Sequence, residues 1–442
     1  MKSSRRTALF LILCSCGLSV LWGSFIAHGS AGGLTDFKAV FYGSRCLIHH
    51  TDPYQSADFL AAYLGDGQQI PTEPMMADLF RRAVLVCVNL PATLFFVIPF
   101  AWMPFFPAYL LWALLMTAGL ALACFLMWDL AAAKSSRLAL LLVCMLAANC
   151  VILFADGNTA SIVISMCVIA VWCFLQDRFV PAGIVCLALS LAIKPHDAGL
   201  VWLYFLLAGG VYRKRAWQTL AVTIALCLPA VLWVSHIVPN WLPELRANLH
   251  LAGERGGLND PGPAAIGFHH PDAIINLQAV ISVFRDDPRI YVPVSLLVAG
   301  ALVLLWMVVT LRSQPSQRNA CLALAAISAL TMLVTYHRQH DAKLLLLTIP
   351  ACALLWSERG IVGWLALLTN SAAIIITGDI PATGLGILAS HQSVGAGFFG
   401  HLKTAFLVRP APIVLLFVAC FYLWVYMKQI GPKQAARLNP QT

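Results

Sequence analysis

The sequence predicts an all-α polytopic membrane protein. Of its 442 residues, 60% are hydrophobic and 11% are charged, whereas soluble domains carry about 25% charged residues. Apolar runs recur along the whole chain at about 17–25 residues, the length at which a helix crosses a bilayer. The net charge of +9 does not indicate a nucleic-acid partner, because many basic residues flank the apolar runs, as topology signals do.

Thirteen apolar segments are candidate spans, of which about twelve are expected to cross the membrane. The weakest is 83–103, which Arg81 and Arg82 open and Pro91 and Pro99 interrupt; we expect it to lie partly in the interface or to re-enter. The first segment lacks a small-residue cleavage site, so we interpret it as a retained span. The candidates are 7–27, 83–103, 106–130, 138–154, 160–176, 180–193, 198–211, 217–236, 291–311, 319–335, 342–356, 361–377 and 409–427.

The Lys and Arg residues of the short connections fall on one side of such a bundle, which the positive-inside rule makes cytoplasmic. We expect one transmembrane domain over 1–430, a cytoplasmic tail over 431–442, and outer loops near 29–82, 237–289 and 378–408. The long first outer loop carries the first of four polar clusters. The basic residues on the predicted inner side are Lys2, Arg5, Arg6, Lys134, Arg137, Arg178, Arg213, Lys214, Arg215, Arg312, Arg318, Arg359, Lys428, Lys433 and Arg437.

The fourteen cysteines show no CxxC pair and no His/Cys metal spacing, and most lie within apolar runs. Such cysteines behave as small buried hydrophobic residues. The sequence therefore predicts neither a disulfide framework nor a metal site, and no cofactor. A requirement for a divalent metal in the reaction stays open.

Asp36 follows the first apolar segment, at the depth where a membrane helix gives way to water. A carboxylate there is unfavourable in hydrocarbon and tolerated at the rim of a cavity. Two interpretations stay open, since Asp36 could cap the next short helix or serve a functional site.

Three further clusters lie on the predicted outer side: Asp156-Gly157-Asn158, Lys194-Pro195-His196-Asp197 and the segment 336–341. The first also makes a good tight turn, and Lys194 could extend to the lipid headgroups. The segment 336–341 could be a solvated loop, but ionisable residues seldom cluster at membrane depth without a function. We expect Asp36, Lys194 and 336–341 to line one cavity.

This set of residues suits a phosphate-bearing lipid. Lys194, His337, Arg338 and His340 offer donors to phosphate oxygens, and the Asp36 carboxylate can take a proton from an attacking hydroxyl. Glycosyl transfer from a lipid phosphate needs one base, because the phosphate already leaves readily, whereas hydrolysis of an ordinary glycosidic bond needs an acid as well.

The order of these motifs resembles that of the polyprenol-phosphate-sugar-dependent glycosyltransferases of the GT-C superfamily, in particular family 87, which contains phosphatidylinositol-mannoside mannosyltransferases. The motifs extend over nearly the whole chain. The family often has Gly-Gln at Gly157-Asn158 and an aromatic-Pro-Pro at Asn89-Leu90-Pro91, differences that bear on the sugar or acceptor. The carrying residues are Thr35-Asp36-Phe37, Tyr42, Asp52-Pro53-Tyr54, Asn89-Leu90-Pro91, Pro99, Pro104, Gly157-Asn158, Ala182-Gly183, Ile193-Lys194-Pro195, Ile275-Asn276-Leu277-Gln278, Tyr336-His337-Arg338 and Asp341.

The resemblance implies a GT-C-like bundle in a bacterial plasma (inner) membrane with its active site facing outward. It implies transfer of a hexose, with mannose suggested, from a polyprenyl-phosphate donor to a lipid or glycan acceptor among the membrane lipids. Asp36 is then the general base, and Tyr42, Asn158, Lys194, His337, Arg338 and His340 bind substrate.

Two other classes stay open from the sequence: a transporter or flippase of lipid-linked substrates, and a non-catalytic membrane subunit. Transporters tend to place charges near the midplane of paired halves. Here the charges cluster at one face and no paired halves are evident, which favours an enzyme.

The topology can be tested by labelling. Single cysteines at residues 194 and 214 of a cysteine-depleted chain should react with an impermeant maleimide from opposite sides of the membrane, since the Lys/Arg asymmetry places 213–215 in the cytoplasm. Labelling of both positions from one side would contradict the predicted topology.

Overall fold

A computed structural model of the chain describes residues 4–29, 33–265, 274–390 and 397–438. Within those ranges the secondary structure is helical, and the only extended pairing is one isolated antiparallel bridge between Ile274 and Arg338. The all-α prediction is therefore confirmed.

The first half of the chain forms nine helices, of which α2, α3 and α4 belong to the first predicted outer loop. They are α1 (Arg5–Gly29), α2 (Thr35–Ile48), α3 (Ser56–Gly65), α4 (Pro74–Ala83), α5 (Pro91–Ala101), α6 (Phe105–Ala147), α7 (Val151–Asp156), α8 (Ala160–Gln176) and α9 (Val180–Ile193).

The second half continues directly after Lys194. Its helices are α10 (Pro195–Ala208), α11 (Gly210–Ile237), α12 (Trp241–Gly253), α13 (Leu277–Phe284), α14 (Pro288–Arg312), α15 (Gln317–Val334), a 3-10 helix (Gln339–Thr348), α16 (Ile349–Ser357), α17 (Ile361–Ile376), α18 (Asp379–Ser390), α19 (Gly397–Leu407) and α20 (Pro410–Leu438).

Several helices can cross a membrane. In the described ranges six are long and apolar enough, and a seventh span results if α17 and the start of α18, bent by 69°, count as one. The predicted number of about twelve stays a prediction, because α8, α9 and α10 have 17, 14 and 14 residues, below the ~20 that a span needs. The six long helices are α1, α6, α11, α14, α15 and α20.

Two predicted spans join in α6, and another proves too short. The 43 residues of α6 include a break at Ser135 (φ −151°, ψ 82°), which separates the predicted spans 106–130 and 138–154. The weak candidate 83–103 is helical only over the 11 residues of α5. At a rise of 1.5 Å per residue these cover about 16 Å, half a hydrocarbon core.

The core is built around α15 and α8, whose residues are mostly buried. α15 is rich in alanine and other small residues, which allow neighbouring helices to approach closely. By contrast α11 lies at the periphery, where Ile224 and Leu232 are more than half exposed. Apolar side chains directed outward in this way are expected of helices that face lipid.

A buried ion pair connects three separate elements near the start of the 3-10 helix. Lys343 Nζ lies 3.1 Å from Asp379 Oδ1, and both side chains are almost fully buried. Lys343 also donates to the Asn149 carbonyl at 2.7 Å, and Asp379 Oδ2 accepts from the Ile152 N–H at 2.8 Å. The pair therefore holds the 3-10 helix, the start of α7 and the start of α18 together.

Replacing Lys343 with Met should destabilise the protein by about 3–5 kcal/mol, because Asp379 would be left as an uncompensated buried charge. The free energy of unfolding in mixed micelles measures this. The double variant Lys343→Met, Asp379→Asn should recover part of the loss, since it leaves no unpaired charge.

The matched control is the exposed pair of Arg318 and Glu358. Arg318→Met should change stability by no more than about 1 kcal/mol, as exposed ion pairs do. Equal losses for Lys343→Met and Arg318→Met would mean that the buried pair has no special role.

Candidate active site

Asp36 lies in the first turn of α2 and is partly buried. Leu34, in the left-handed region (φ 60°), precedes the helix, and its N–H donates to the Ala155 carbonyl at 2.9 Å. This contact ties the start of α2 to the end of α7. A carboxylate at a helix N-terminus is stabilised by the helix dipole.

Asn158 holds the Asp36 carboxylate across a sequence separation of 122 residues. Its Nδ2 donates to Asp36 Oδ2 at 2.5 Å, while its Oδ1 accepts from the Ala160 N–H at 2.7 Å. The second bond orients the amide, because only the oxygen can accept from a backbone N–H. The Asn158 side chain therefore both stabilises the turn before α8 and positions Asp36.

Gly157 permits this approach. It ends α7 at φ 65°, and a Cβ added there would lie 2.7 Å from the Cβ of Phe37, the neighbour of Asp36. Its carbonyl accepts from Trp112 Nε1 at 2.9 Å. A side chain at position 157 would push α2 away from the turn that carries Asn158.

Lys194 occupies the break between α9 and α10, with φ −139° and ψ 79°. Its ammonium donates to Asp341 Oδ1 at 2.7 Å and lies 3.4 Å from Asp197 Oδ2. The side chain is only 16% exposed. Within the structure Lys194 is thus an internal ion-pair partner, and it does not extend outward from the helix end.

Asp341 receives contacts from two sides. Its Oδ1 accepts from Lys194 and lies 3.5 Å from His340 Nε2. Its Oδ2 accepts from the Arg338 N–H at 2.9 Å, and this hydrogen bond caps the 3-10 helix. Burial alone would raise the pKa of Asp341, but Lys194 and the neighbouring histidines hold it below its usual range. Asp341 is therefore a fixed anion in this site.

His337 is fully buried beside Asp197. Its Nε2 lies 3.0 Å from Asp197 Oδ1, and its Nδ1 lies 3.3 Å from the Thr335 carbonyl. The ring centroids of His196 and His337 are 5.1 Å apart. One ligand atom from each of His196, Asp197 and His337 lies within 4.8 Å of the others, a set that could hold a metal ion. We call Lys194, His196, Asp197, His337, His340 and Asp341 the ion cluster.

Arg338 lies at the edge of the ion cluster and Arg409 close by. Arg338 donates to the Leu258 carbonyl at 2.8 Å, and Arg409 donates to the carbonyl of Ile274, the residue that pairs with Arg338. The Arg409 side chain is buried, with 2% of its surface exposed. The sequence gives no signal for the burial of Arg409, because a basic residue before an apolar run also fits a simple helix boundary.

The α8–α9 hairpin brings Asn158 and the ion cluster to the same end of the bundle. Ser190 Oγ donates to the Val163 carbonyl at 2.9 Å, so the two helices run antiparallel. Asn158 precedes Val163 by five residues, and Lys194 follows Ser190 by four. At 1.5 Å per residue both lie about 6–8 Å beyond that contact, on the same side.

α5 adds a second connection between the two parts of the site. Thr93 Oγ1 donates to the Ile193 carbonyl at 2.9 Å, and Ser44 Oγ of α2 donates to the Leu94 carbonyl at 2.8 Å. The helix of Asp36 and the residue before Lys194 are therefore held by consecutive residues of one short helix.

Tyr42 lies apart from these groups. It follows Asp36 by six residues, which is about 9 Å along α2 and two-thirds of a turn around it. The side chain is fully buried, stacks on Phe105, and donates through its hydroxyl to Asp66 at 3.0 Å. Contact of Tyr42 with substrate stays a prediction, and its contacts here are those of a packed core residue.

A comparison with protein-family models matches residues 89–336 to glycosyltransferase family 87. The match covers more than half of the chain and includes Asn158 and Lys194, while Asp36, His337 and Arg338 lie outside it. No curated protein and no solved structure matches the chain.

The close approach at Gly157 makes a testable prediction. Gly157→Ala should lower stability by about 1–3 kcal/mol through backbone strain and reduce glycosyl transfer further by separating Asn158 from Asp36. Thermal melting and a transfer assay measure the two effects. Gly199→Ala is the control, because a Cβ there meets nothing within 4 Å; if both variants behaved alike, the packing argument would fail.

Proposed function

Because the chain belongs to glycosyltransferase family 87, it is a glycosyltransferase, and we propose that it moves a hexose from a polyprenyl-phosphate donor to a lipid or glycan acceptor. The proposal places the reaction at the outer face of a bacterial plasma membrane and takes mannose as the first sugar to test. One observation carries it: Asn158 holds Asp36 at the same end of the α8–α9 hairpin as the ion cluster.

In the proposed reaction Asp36 is the general base. Its carboxylate takes the proton of the acceptor hydroxyl as that oxygen forms a bond to the anomeric carbon. The bond from the anomeric carbon to the phosphate oxygen breaks, and its electron pair leaves with the phosphate. Attack from the face opposite the phosphate inverts the anomeric centre, since no protein nucleophile takes part.

The cations of the site would bind the donor phosphate. Lys194 and Arg338 are partly exposed, so we propose that these two side chains contact the donor phosphate first. Arg338 now donates to the neutral oxygens of Leu258 and Asn259, and exchanging these for phosphate oxygens gives stronger, charge-assisted bonds. Charge that develops on the leaving phosphate strengthens these contacts further in the transition state.

His337 and His340 are buried beside Asp197 and Asp341. In the proposal they set the charge and position of those carboxylates and reach the donor only when the ion cluster rearranges on binding. The family assignment favours an enzyme over a transporter or a non-catalytic subunit, so we propose no second function.

Asp36→Asn should lower turnover by about 10²- to 10⁴-fold, the usual contribution of a general base, while donor binding changes little because the amide keeps the shape of the carboxylate. A transfer assay in nanodiscs with a panel of polyprenyl-phosphate sugars measures turnover, and equilibrium binding of the same donors measures affinity.

Asp78→Asn is the matched control, since Asp78 lies in the same predicted outer loop, is half exposed and forms an ion pair with Arg82 on the same helix. It should keep normal turnover. Normal turnover in Asp36→Asn would show that another group is the base, and loss of donor binding would show that Asp36 acts in binding.

A further inference from the structure

Three ligand atoms converge inside the ion cluster from two distant parts of the chain. His337 Nε2 lies 3.0 Å and His196 Nε2 lies 3.9 Å from Asp197 Oδ1. In a metal site with bonds of about 2.1 Å, neighbouring ligand atoms lie roughly 3.0–3.4 Å apart. The observed separations need only a small movement of His196, whose side chain is 32% exposed.

The same atoms lack hydrogen bonds within the protein. Both oxygens of Asp197 and Nε2 of both histidines are buried without a hydrogen-bond partner among the described residues. Asp197 is 1% exposed and His337 is fully buried. Asp197 Oδ2 faces the Lys194 ammonium at 3.4 Å, whereas Asp197 Oδ1 and the two Nε2 atoms converge on one another. Buried polar atoms nearly always have partners, and a bound ion would satisfy these three together.

Nδ1 of His337 lies 3.3 Å from the Thr335 carbonyl and 3.4 Å from the Thr335 hydroxyl. When Nδ1 donates to the carbonyl, the neutral ring presents the Nε2 lone pair to a carboxylate oxygen at 3.0 Å. A proton or a metal cation between these two atoms removes the repulsion. A histidine that binds a metal commonly donates its other N–H to a backbone carbonyl, as His337 then does.

We propose that His196, Asp197 and His337 bind one divalent transition-metal ion, of the Zn²⁺ or Mn²⁺ class, at the centre of the ion cluster. Two imidazole nitrogens and one carboxylate favour such ions, whereas Mg²⁺ and Ca²⁺ prefer oxygen ligands throughout. Three protein ligands leave at least one coordination position open.

The charges next to the metal site give the ion a role in binding the donor phosphate, and this role rests on the proposed function. Lys194 faces two carboxylates, Asp197 and Asp341, so its single positive charge is already compensated within the protein. A divalent ion adds two positive charges beside them, and its open position can take a phosphate oxygen of the donor. The ion therefore makes a carboxylate-rich cluster able to hold an anion.

The test uses the full-length protein in nanodiscs, stripped with a chelator and titrated with Zn²⁺, and with Co²⁺ as a spectroscopic probe. We expect about one bound ion per chain and the visible absorption of Co²⁺ in a nitrogen-containing site. His196→Gln and Asp197→Asn should each weaken binding by about 100-fold or more, since losing even an outer partner of a ligand weakens binding 10- to 100-fold.

His250→Gln is the control, because His250 on α12 is 81% exposed and lies 3.4 Å from Glu254, just after the helix ends; it should leave binding unchanged. If thermal melting shows that Asp197→Asn does not fold, His196→Gln still tests the metal site, because His196 is partly exposed. Absence of stoichiometric uptake by the wild type, or unchanged uptake in His196→Gln, overturns the metal site.

Transfer assays separate this inference from the proposed function. Full transfer by the stripped protein overturns the role of the metal in donor binding while the proposed function stands. Stoichiometric Zn²⁺ binding that His196→Gln abolishes, together with no transfer from any polyprenyl-phosphate sugar, supports the metal site and overturns the proposed function.

Discussion

The ion pair of Lys194 and Asp341 is the interaction on which the site depends. It joins residues 147 positions apart and links the break between α9 and α10 to the 3-10 helix. A charge inside an apolar bundle is strongly unfavourable unless it is paired and hydrogen-bonded. Each partner therefore recruits further groups: Asp341 accepts the Arg338 N–H, and Lys194 approaches Asp197, which in turn faces His337.

Interrupted helices put these groups in place. The chain leaves regular helix at Gly157, at Lys194 and between α15 and the 3-10 helix, and each interruption carries polar side chains that a straight span would direct elsewhere. Irregular backbone at membrane depth is tolerated only where protein or a water-filled cavity covers it. The packing of α5 between α2 and α9 and the buried pair of Lys343 and Asp379 supply that cover.

The arrangement separates two electrostatic roles. Asp36 lies at a helix N-terminus and accepts from the Asn158 amide, which suits its proposed role as the carboxylate that takes a proton. The ion cluster and Arg338 lie at the end of the α8–α9 hairpin, where in the proposed function Lys194, Arg338 and a bound metal ion hold the leaving phosphate. A glycosyltransferase that uses a phosphate leaving group needs both roles and no second carboxylic acid.

The sequence by itself determined the class of protein, the all-α fold, the weakness of 83–103 as a candidate span and the family, because length, composition, proline positions and motif order are local properties. It also singled out Asp36, Asn158 and Lys194 as polar residues at helix ends. Only the tertiary structure decided their partners. Helix packing joins Asn158 to Asp36 and brings His196 and Asp197 to His337, in both cases across more than a hundred residues. Helix packing also buries Arg409 and Tyr42. Apolar spans carry no periodic signal for that packing, since their faces are alike in hydrophobicity and differ only in shape.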